Sequence, residues 1–269
     1  MEILQAIILG VIEGLTEFLP ISSTGHLIVA AEAMDYYDAS KMFTVVIQTG
    51  AILAVVWFYR QQLKALALGL ISGSKPLQRF CLLWLIATIP AGVFGLLLDA
   101  QLESYAVATT VAVAMILGGI AILLIETFHR SPPAGKEANL RKLTMSQAVQ
   151  IGFYQVLALV PGVSRSGATI LGGMLAGLDR VTATAFSFYL GIPILLLAGI
   201  YKLITGDLST VEGGGPAIIA GFIASFLTAL VVISWLLRYV SRHNFKPFAY
   251  YRIGFGLLLL VLIGLGLIG

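Results

Sequence analysis

Hydrophobic residues in this chain come in long runs with little helical or strand alternation, the pattern of helices surrounded by lipid rather than by water. Six stretches are apolar enough to cross a hydrocarbon core: Phe43–Tyr59, Phe80–Leu98, Tyr105–Glu126, Ala183–Ile204, Pro216–Tyr239 and Ala249–Ile268. The polar segments between them sort by charge. Arg60, Lys64, Lys75 and Arg79 fill the first connection, and Asp99 and Glu103 the second. Arg130, Lys136, Arg141 and Lys142 flank Ser131–Gly135, read as a mobile loop; Asp207 and Glu212 come next, then Arg238, Arg242, Lys246 and Arg252. Basic connections stay on the cytoplasmic side, so the six spans alternate across the membrane without contradiction.

Two further apolar regions do not read as simple spans. Ile3–Ala31 is interrupted at Phe18-Leu19-Pro20-Ile21-Ser22-Ser23-Thr24-Gly25-His26, and Ala148–Gly177 at Val160-Pro161-Gly162-Val163-Ser164-Arg165-Ser166-Gly167. The charge alternation requires the second region to enter and leave on the cytoplasmic side, and the first to return to the outside. Each is therefore predicted to be a re-entrant hairpin, with Pro and Gly stopping the first half-helix and the Ser/Thr cluster capping the second. A shift of 142 residues superimposes Gly10 on Gly152, Glu13 on Gln155, Leu15 on Leu157, Ser22 on Ser164 and Gly25 on Gly167. The expected fold is thus all-α and polytopic, with six transmembrane helices plus two re-entrant hairpins in an inverted-topology repeat. It forms a single integral membrane domain over 1–269. The first repeat covers 1–126 with its hairpin at 3–31; the second covers 146–269 with its hairpin at 148–177.

Composition narrows the classes. Of 269 residues, 59% are hydrophobic and 11% charged, against roughly 25% charged in a soluble domain. A single cysteine, Cys81, excludes a disulfide scaffold. The net charge of +3 gives no reason to expect a nucleic-acid partner. Met1 and Glu2 lead straight into apolar sequence, so no cleavable targeting segment is expected.

Candidate chemistry lies in ionisable groups at membrane depth, which are costly and normally paired or functional. Glu13 and Glu17 share one face of a helix. Such a pair suits a divalent metal, an acid/base function, or an ion pair with Arg165. If a half-helix begins near Ser22, its free N–H groups form an anion site. His26 then stands within reach of Ser22 or Ser23, either to activate a hydroxyl or, with serine as an ordinary cap, to bond a backbone carbonyl. Around Arg165, the hydroxyls of Ser164, Ser166 and Thr169 and a planar guanidinium make a phosphate cradle.

At these two interruptions the sequence closely resembles the undecaprenyl-diphosphate phosphatase family of bacterial inner membranes, the bacitracin-resistance proteins. Glu13 and Glu17 match its (E/Q)-x-x-x-E motif, Pro161 to Thr169 match P-G-x-S-R-S-x-x-T, and His26 matches the histidine after S-S-T-G. The resemblance covers essentially the whole chain. It implies hydrolysis of undecaprenyl diphosphate to undecaprenyl phosphate and inorganic phosphate, recycling the lipid carrier for peptidoglycan synthesis, with an active site facing the periplasm. It also implies dependence on a divalent cation, Mg²⁺ or Ca²⁺, expected at Glu13 and Glu17. Carried onto this chain, the catalytic set is Glu13, Glu17, Ser23, His26 and Arg165, with Ser22, Thr24, Gly162, Ser164, Arg165, Ser166 and Thr169 contacting the substrate. Ser23 assisted by His26 is the first choice of nucleophile; water and His26 itself remain alternatives. Expected partners are the lipid substrate and membrane lipids, with a homodimer left open. The competing function is a flippase or secondary transporter, because broken helices meeting inside the membrane also suit transport. Such a protein has no need of Ser23, His26 and the glutamate pair together.

Overall fold

The computed structural model describes residues 2–36, 38, 41–105, 107–129, 132, 135, 137–207, 211 and 213–268, without the side chains of 99, 100, 103 and 104. Among the described residues the regular structure is helical: α1 (Ile3–Thr16), α2 (Ser23–Ala33), α3 (Met42–Phe58), α4 (Arg60–Ile71), α5 (Lys75–Ser104), α6 (Ala108–Phe128), α7 (Met145–Leu157), α8 (Arg165–Leu175), α9 (Arg180–Thr205), α10 (Gly214–Val240) and α11 (Lys246–Gly264). Five of these are long and apolar enough to cross a membrane. The sixth expected span, α3, has 17 residues and turns by 71° into α4, so the count is six if that bent pair is one span.

Several expected connections prove to be helix. Arg60 and Lys64 belong to α4, and α5 runs on through Lys75 and Arg79 at its start. Arg252, expected in a basic connection, lies inside α11 and is 1% exposed. Charge alone marked these residues as loop, yet Lys and Arg are good helix formers. The expectations placed on Arg130, Ser131–Gly135, Lys136 and Glu212, and on the side chains of Asp99 and Glu103, fall wholly or mostly outside the described residues.

The polarity pattern is that of a protein solvated by lipid. Large apolar side chains such as Ile71, Leu96 and Val231 lie on the outside, while Glu13, Glu17, Gln155 and Arg252 are buried. Close helix contact is bought by small residues: a Cβ on Gly10 would stand 2.2 Å from the Gly221 carbonyl oxygen, so α1 and α10 touch backbone to backbone. Pro193 inside α9 cannot donate to the Tyr189 carbonyl; the Trp84 indole N–H takes its place at 2.8 Å.

Both expected breaks are present. Residues 17–22 separate α1 from α2, and residues 158–164 separate α7 from α8. The two units match in detail at the 142-residue offset. Glu2 and Gln5 form a capping box on α1, as Thr144 and Gln147 do on α7. The Gln5 amide donates to the Met34 carbonyl at 3.0 Å and the Gln147 amide to Ala176 at 3.1 Å. Ser22 and Ser164, the residues preceding α2 and α8, both adopt positive φ, +68° and +74°. Non-glycine residues rarely do so, and the strain marks both turns as functional candidates.

Candidate active site

The two breaks meet, and their polar groups face a cleft of about 200 Å³. Its lining includes Glu17 and Ser22 from the first break with Ser23 and Thr24 at the start of α2, Gly162 and Ser164 from the second break with Arg165 at the start of α8, and Gln48 from α3. Apolar residues of α5, α9 and the second break, among them Ala91, Leu159, Ile194 and Leu195, complete the wall.

Glu17, just past the end of α1, is the hub. Its Oε2 accepts from the Ser23 hydroxyl at 2.8 Å, and its Oε1 accepts from Arg165 Nη2 at 3.0 Å. One carboxylate thus joins a hydroxyl six residues ahead to a guanidinium 148 residues away. Arg165 is held further by donating through Nη1 to the Ser187 carbonyl at 2.8 Å, beside the Phe18 ring. Its Nε is buried and makes no hydrogen bond to protein. The approach needs Gly191, where a Cβ would stand 2.8 Å from the guanidinium.

The two helix starts differ. Ser164 caps α8 by accepting from the Gly167 N–H at 3.1 Å. Ser22 makes no such bond to α2. The first-turn N–H groups of α2 therefore lack a side-chain cap beside the cleft, and they carry the positive end of the helix dipole.

Glu13 lies behind this front row, 1% exposed, its carboxyl against that of Glu17 and its Oε1 without a hydrogen-bond partner. It is not paired with Arg165, which bonds Glu17 instead. Two carboxyl groups in contact in a low dielectric hold together through a shared proton or a bridging cation. Among the described residues no group of three or more His, Cys, Asp or Glu could hold a metal. Mg²⁺ needs only one or two carboxylates when a substrate phosphate and waters supply the rest, so the donor set at Glu13 and Glu17 fits.

Of its two expected partners, a serine hydroxyl or a backbone carbonyl, His26 takes the carbonyl. Its Nδ1 meets the Ser22 carbonyl at 2.8 Å and its Nε2 the Tyr251 hydroxyl at 2.7 Å, and the ring stacks on Phe255. Because a carbonyl only accepts, Nδ1 carries the proton and Nε2 accepts from Tyr251. Both ring nitrogens are occupied, and Ser23 turns to Glu17 rather than to His26. Ser166 and Thr169 stand outside the cleft lining, and the Ser166 hydroxyl meets that of Ser164 at 3.0 Å. Ser166 donates to the Leu19 carbonyl at 2.9 Å, and Thr169 lies within 2.8 Å of the Arg165 carbonyl and 2.7 Å of the Ser187 hydroxyl. These contacts tie the start of α8 to the first break and to α9.

Three features escaped the sequence reading. Arg252 donates to the Pro20, Val163 and Gly162 carbonyls of the two breaks and to Ala114 and Met115 of α6. Arg180 pairs with Glu126, while Asp179 caps α9. Gln155, the counterpart of Glu13, is buried at the cleft with its Oε1 unpartnered. A signal for Arg252 was available: it is a lone charge among Tyr251, Ile253 and Phe255.

Fold and site together define a class: a multi-helical membrane protein whose ionisable groups converge where two broken helices meet. The family follows from comparison. The family model described as bacitracin resistance protein BacA matches residues 6–258, and the chain belongs to that family. A protein of Methylobacillus flagellatus named undecaprenyl-diphosphatase is 50% identical over 262 residues, covering 96% of this chain and 97% of that protein. Undecaprenyl-diphosphatase 1 of Paraburkholderia xenovorans is 48% identical over 263 residues, covering 96% and 94%. The undecaprenyl-diphosphatase of Cupriavidus metallidurans is 46% identical over 286 residues, covering 98% and 97%.

Proposed function

We propose that this protein hydrolyses undecaprenyl diphosphate to undecaprenyl phosphate and inorganic phosphate, returning the lipid carrier to peptidoglycan synthesis. The observation that carries the reading is the contact of the Glu17 carboxylate with the Ser23 hydroxyl on one side and Arg165 on the other, on the wall of a cleft. Relatives bearing the name of this enzyme along nearly their whole length support it.

Each residue then has a task. Ser23 Oγ attacks the terminal phosphorus as Glu17 takes its proton; the bond from that phosphorus to the bridging oxygen breaks, and Glu17 passes the proton to the departing undecaprenyl phosphate, which leaves it a carboxylate again. Water, deprotonated by Glu17, attacks the phosphoserine; inorganic phosphate leaves and the proton returns to Ser23. Phosphoryl transfer depends mostly on positioning and charge stabilisation. Arg165 supplies a fixed cation with unused donors, and the first turn of α2 supplies N–H groups to the phosphate oxygens. His26 acts on the backbone of Ser22, at the strained turn before the nucleophile. A divalent cation, Mg²⁺ or Ca²⁺, would be held by Glu13 and Glu17. When bound, it neutralises diphosphate charge.

A cleft of about 200 Å³ takes a diphosphate head but not a long prenyl chain. The chain would leave along the apolar wall at Ala91, Leu159, Ile194 and Leu195 into lipid. The reading places the protein in the bacterial inner membrane with the cleft open to the periplasm and the two hairpins inserted from opposite faces. The basic ends near Arg141, Lys142, Arg238 and Arg242 support that orientation. Impermeant thiol labelling should reach cysteines at positions 2 and 207, but not 142, in intact spheroplasts; the reverse pattern overturns the orientation. The function is tested by phosphate release from undecaprenyl diphosphate by purified protein. Release that stops with a chelator and returns with Mg²⁺ or Ca²⁺ is expected. No release under either condition defeats the assignment.

A further inference from the structure

Arg252 is among the largest wholly buried side chains, and among the described residues no carboxylate pairs with it. A guanidinium has five N–H donors, and all five are used on backbone carbonyls. Nε donates to Met115 at 3.1 Å, Nη1 to Pro20 at 3.1 Å and Val163 at 3.0 Å, and Nη2 to Ala114 at 3.1 Å and Gly162 at 3.0 Å. Pro20 belongs to the first break, Gly162 and Val163 to the second, and the other two to α6. The chain makes room for the group. A Cβ on Gly118 would stand 2.2 Å from Nη2, and one on Gly167 3.3 Å from Nη1.

Carbonyls freed by a helix break inside a membrane need a partner, and in transporters built from broken helices such carbonyls coordinate a mobile cation. Here the cation is covalently part of the chain. We propose that Arg252 is a built-in cation that locks the two breaks to one another and to α6, and so serves as a positioning residue for the cleft. The first break carries Glu17 and runs into Ser23, and the second runs into Arg165, so this lock sets the spacing of the groups that face the phosphates. A fixed guanidinium cannot leave as an ion can, and the lock removes the rocking of one unit against the other that transport requires. The kinetic part of the proposal rests on the hydrolase reading above; the mechanical part does not.

Two variants test it, Arg252→Lys and Gly118→Ala. An ammonium has three donors for five carbonyls, and the added methyl displaces the guanidinium without changing residue 252. In a Cys81→Ser background, spin labels at Glu32→Cys and Leu175→Cys report the distance between the ends of α2 and α8. One narrow distance distribution is expected with Arg252, and a broadened or doubled one in each variant. Per folded molecule, kcat for undecaprenyl diphosphate should fall by at least about ten-fold while KM stays within about three-fold, because misplacement of reacting groups by about 1 Å penalises the transition state most. A residue that merely stabilised the fold would lower the melting temperature and leave both readouts of the folded fraction unchanged. An unchanged distance distribution with kcat within two-fold of the parent, in whichever variant folds, overturns the proposal. If the parent itself releases no phosphate, the hydrolase reading fails and the distance measurement alone decides the lock.

Discussion

Replacing Glu17 by Gln keeps the size and shape of the hub and removes its charge and its basicity. The carboxylate makes two hydrogen bonds, to Ser23 at 2.8 Å and to Arg165 at 3.0 Å. An amide oxygen can keep the bond from Arg165, but the opposite amide nitrogen cannot accept from Ser23. Weakening one charge-assisted bond to an ordinary one costs about 1–2 kcal/mol. The melting temperature should therefore fall by about 2–8 °C, at roughly 2–4 °C per kcal/mol for a chain of this size. Catalysis should suffer far more. Loss of a general base lowers turnover by about 10²–10⁴-fold, or about 2.7–5.4 kcal/mol of barrier. The assay is the initial rate of phosphate release from undecaprenyl diphosphate at saturating substrate, normalised to folded protein. A Glu17→Gln variant that keeps more than about a tenth of parental kcat would refute the role of base, since the amide cannot take a proton from Ser23.

Arg165→Lys should lose about 10–100-fold in kcat/KM, because one ammonium cannot bond the Ser187 carbonyl and Glu17 while presenting a planar fork to phosphate; parental turnover would reduce Arg165 to a brace. His26→Asn, which keeps a donor for the Ser22 carbonyl, should retain more activity than His26→Ala; equal rates would remove the backbone-holding role from His26. Gly10→Ala should lower the melting temperature, since its Cβ would meet the Gly221 backbone at 2.2 Å and overpacking costs about 1–3 kcal/mol or more. Gly92→Ala, with open space around the added methyl, should raise it by removing a helix-interior glycine. The opposite order would contradict the backbone contact between α1 and α10.

Much of this protein was legible because a membrane makes hydrophobic runs long and breaks conspicuous. Pro20 and Pro161-Gly162 fall inside apolar sequence, and the structure breaks the helices there. The carboxylate, hydroxyl and guanidinium of the cleft were all named from the same segments. What stayed hidden is long-range. Arg252 reads as one more basic residue in a cluster until the carbonyls of Pro20 and Gly162 close around it, 232 and 90 residues away. Helical spacing leaves His26 either a serine hydroxyl or a backbone carbonyl as partner; the break folds Glu17 back over the start of α2, the carboxylate takes the Ser23 hydroxyl, and His26 bonds the Ser22 carbonyl. Arg60 and Lys64 hid a helix because basic residues were read as a connection, although α3 simply bends into α4.

The central claim is that the hydroxyl held by Glu17 in the cleft attacks the diphosphate. Its most direct test is phosphate release from undecaprenyl diphosphate by the parent and by Ser23→Ala, measured side by side on folded protein in the same micelles with the same divalent cation. The account predicts release by the parent and a rate indistinguishable from the protein-free blank for Ser23→Ala. Equal rates from both would contradict it.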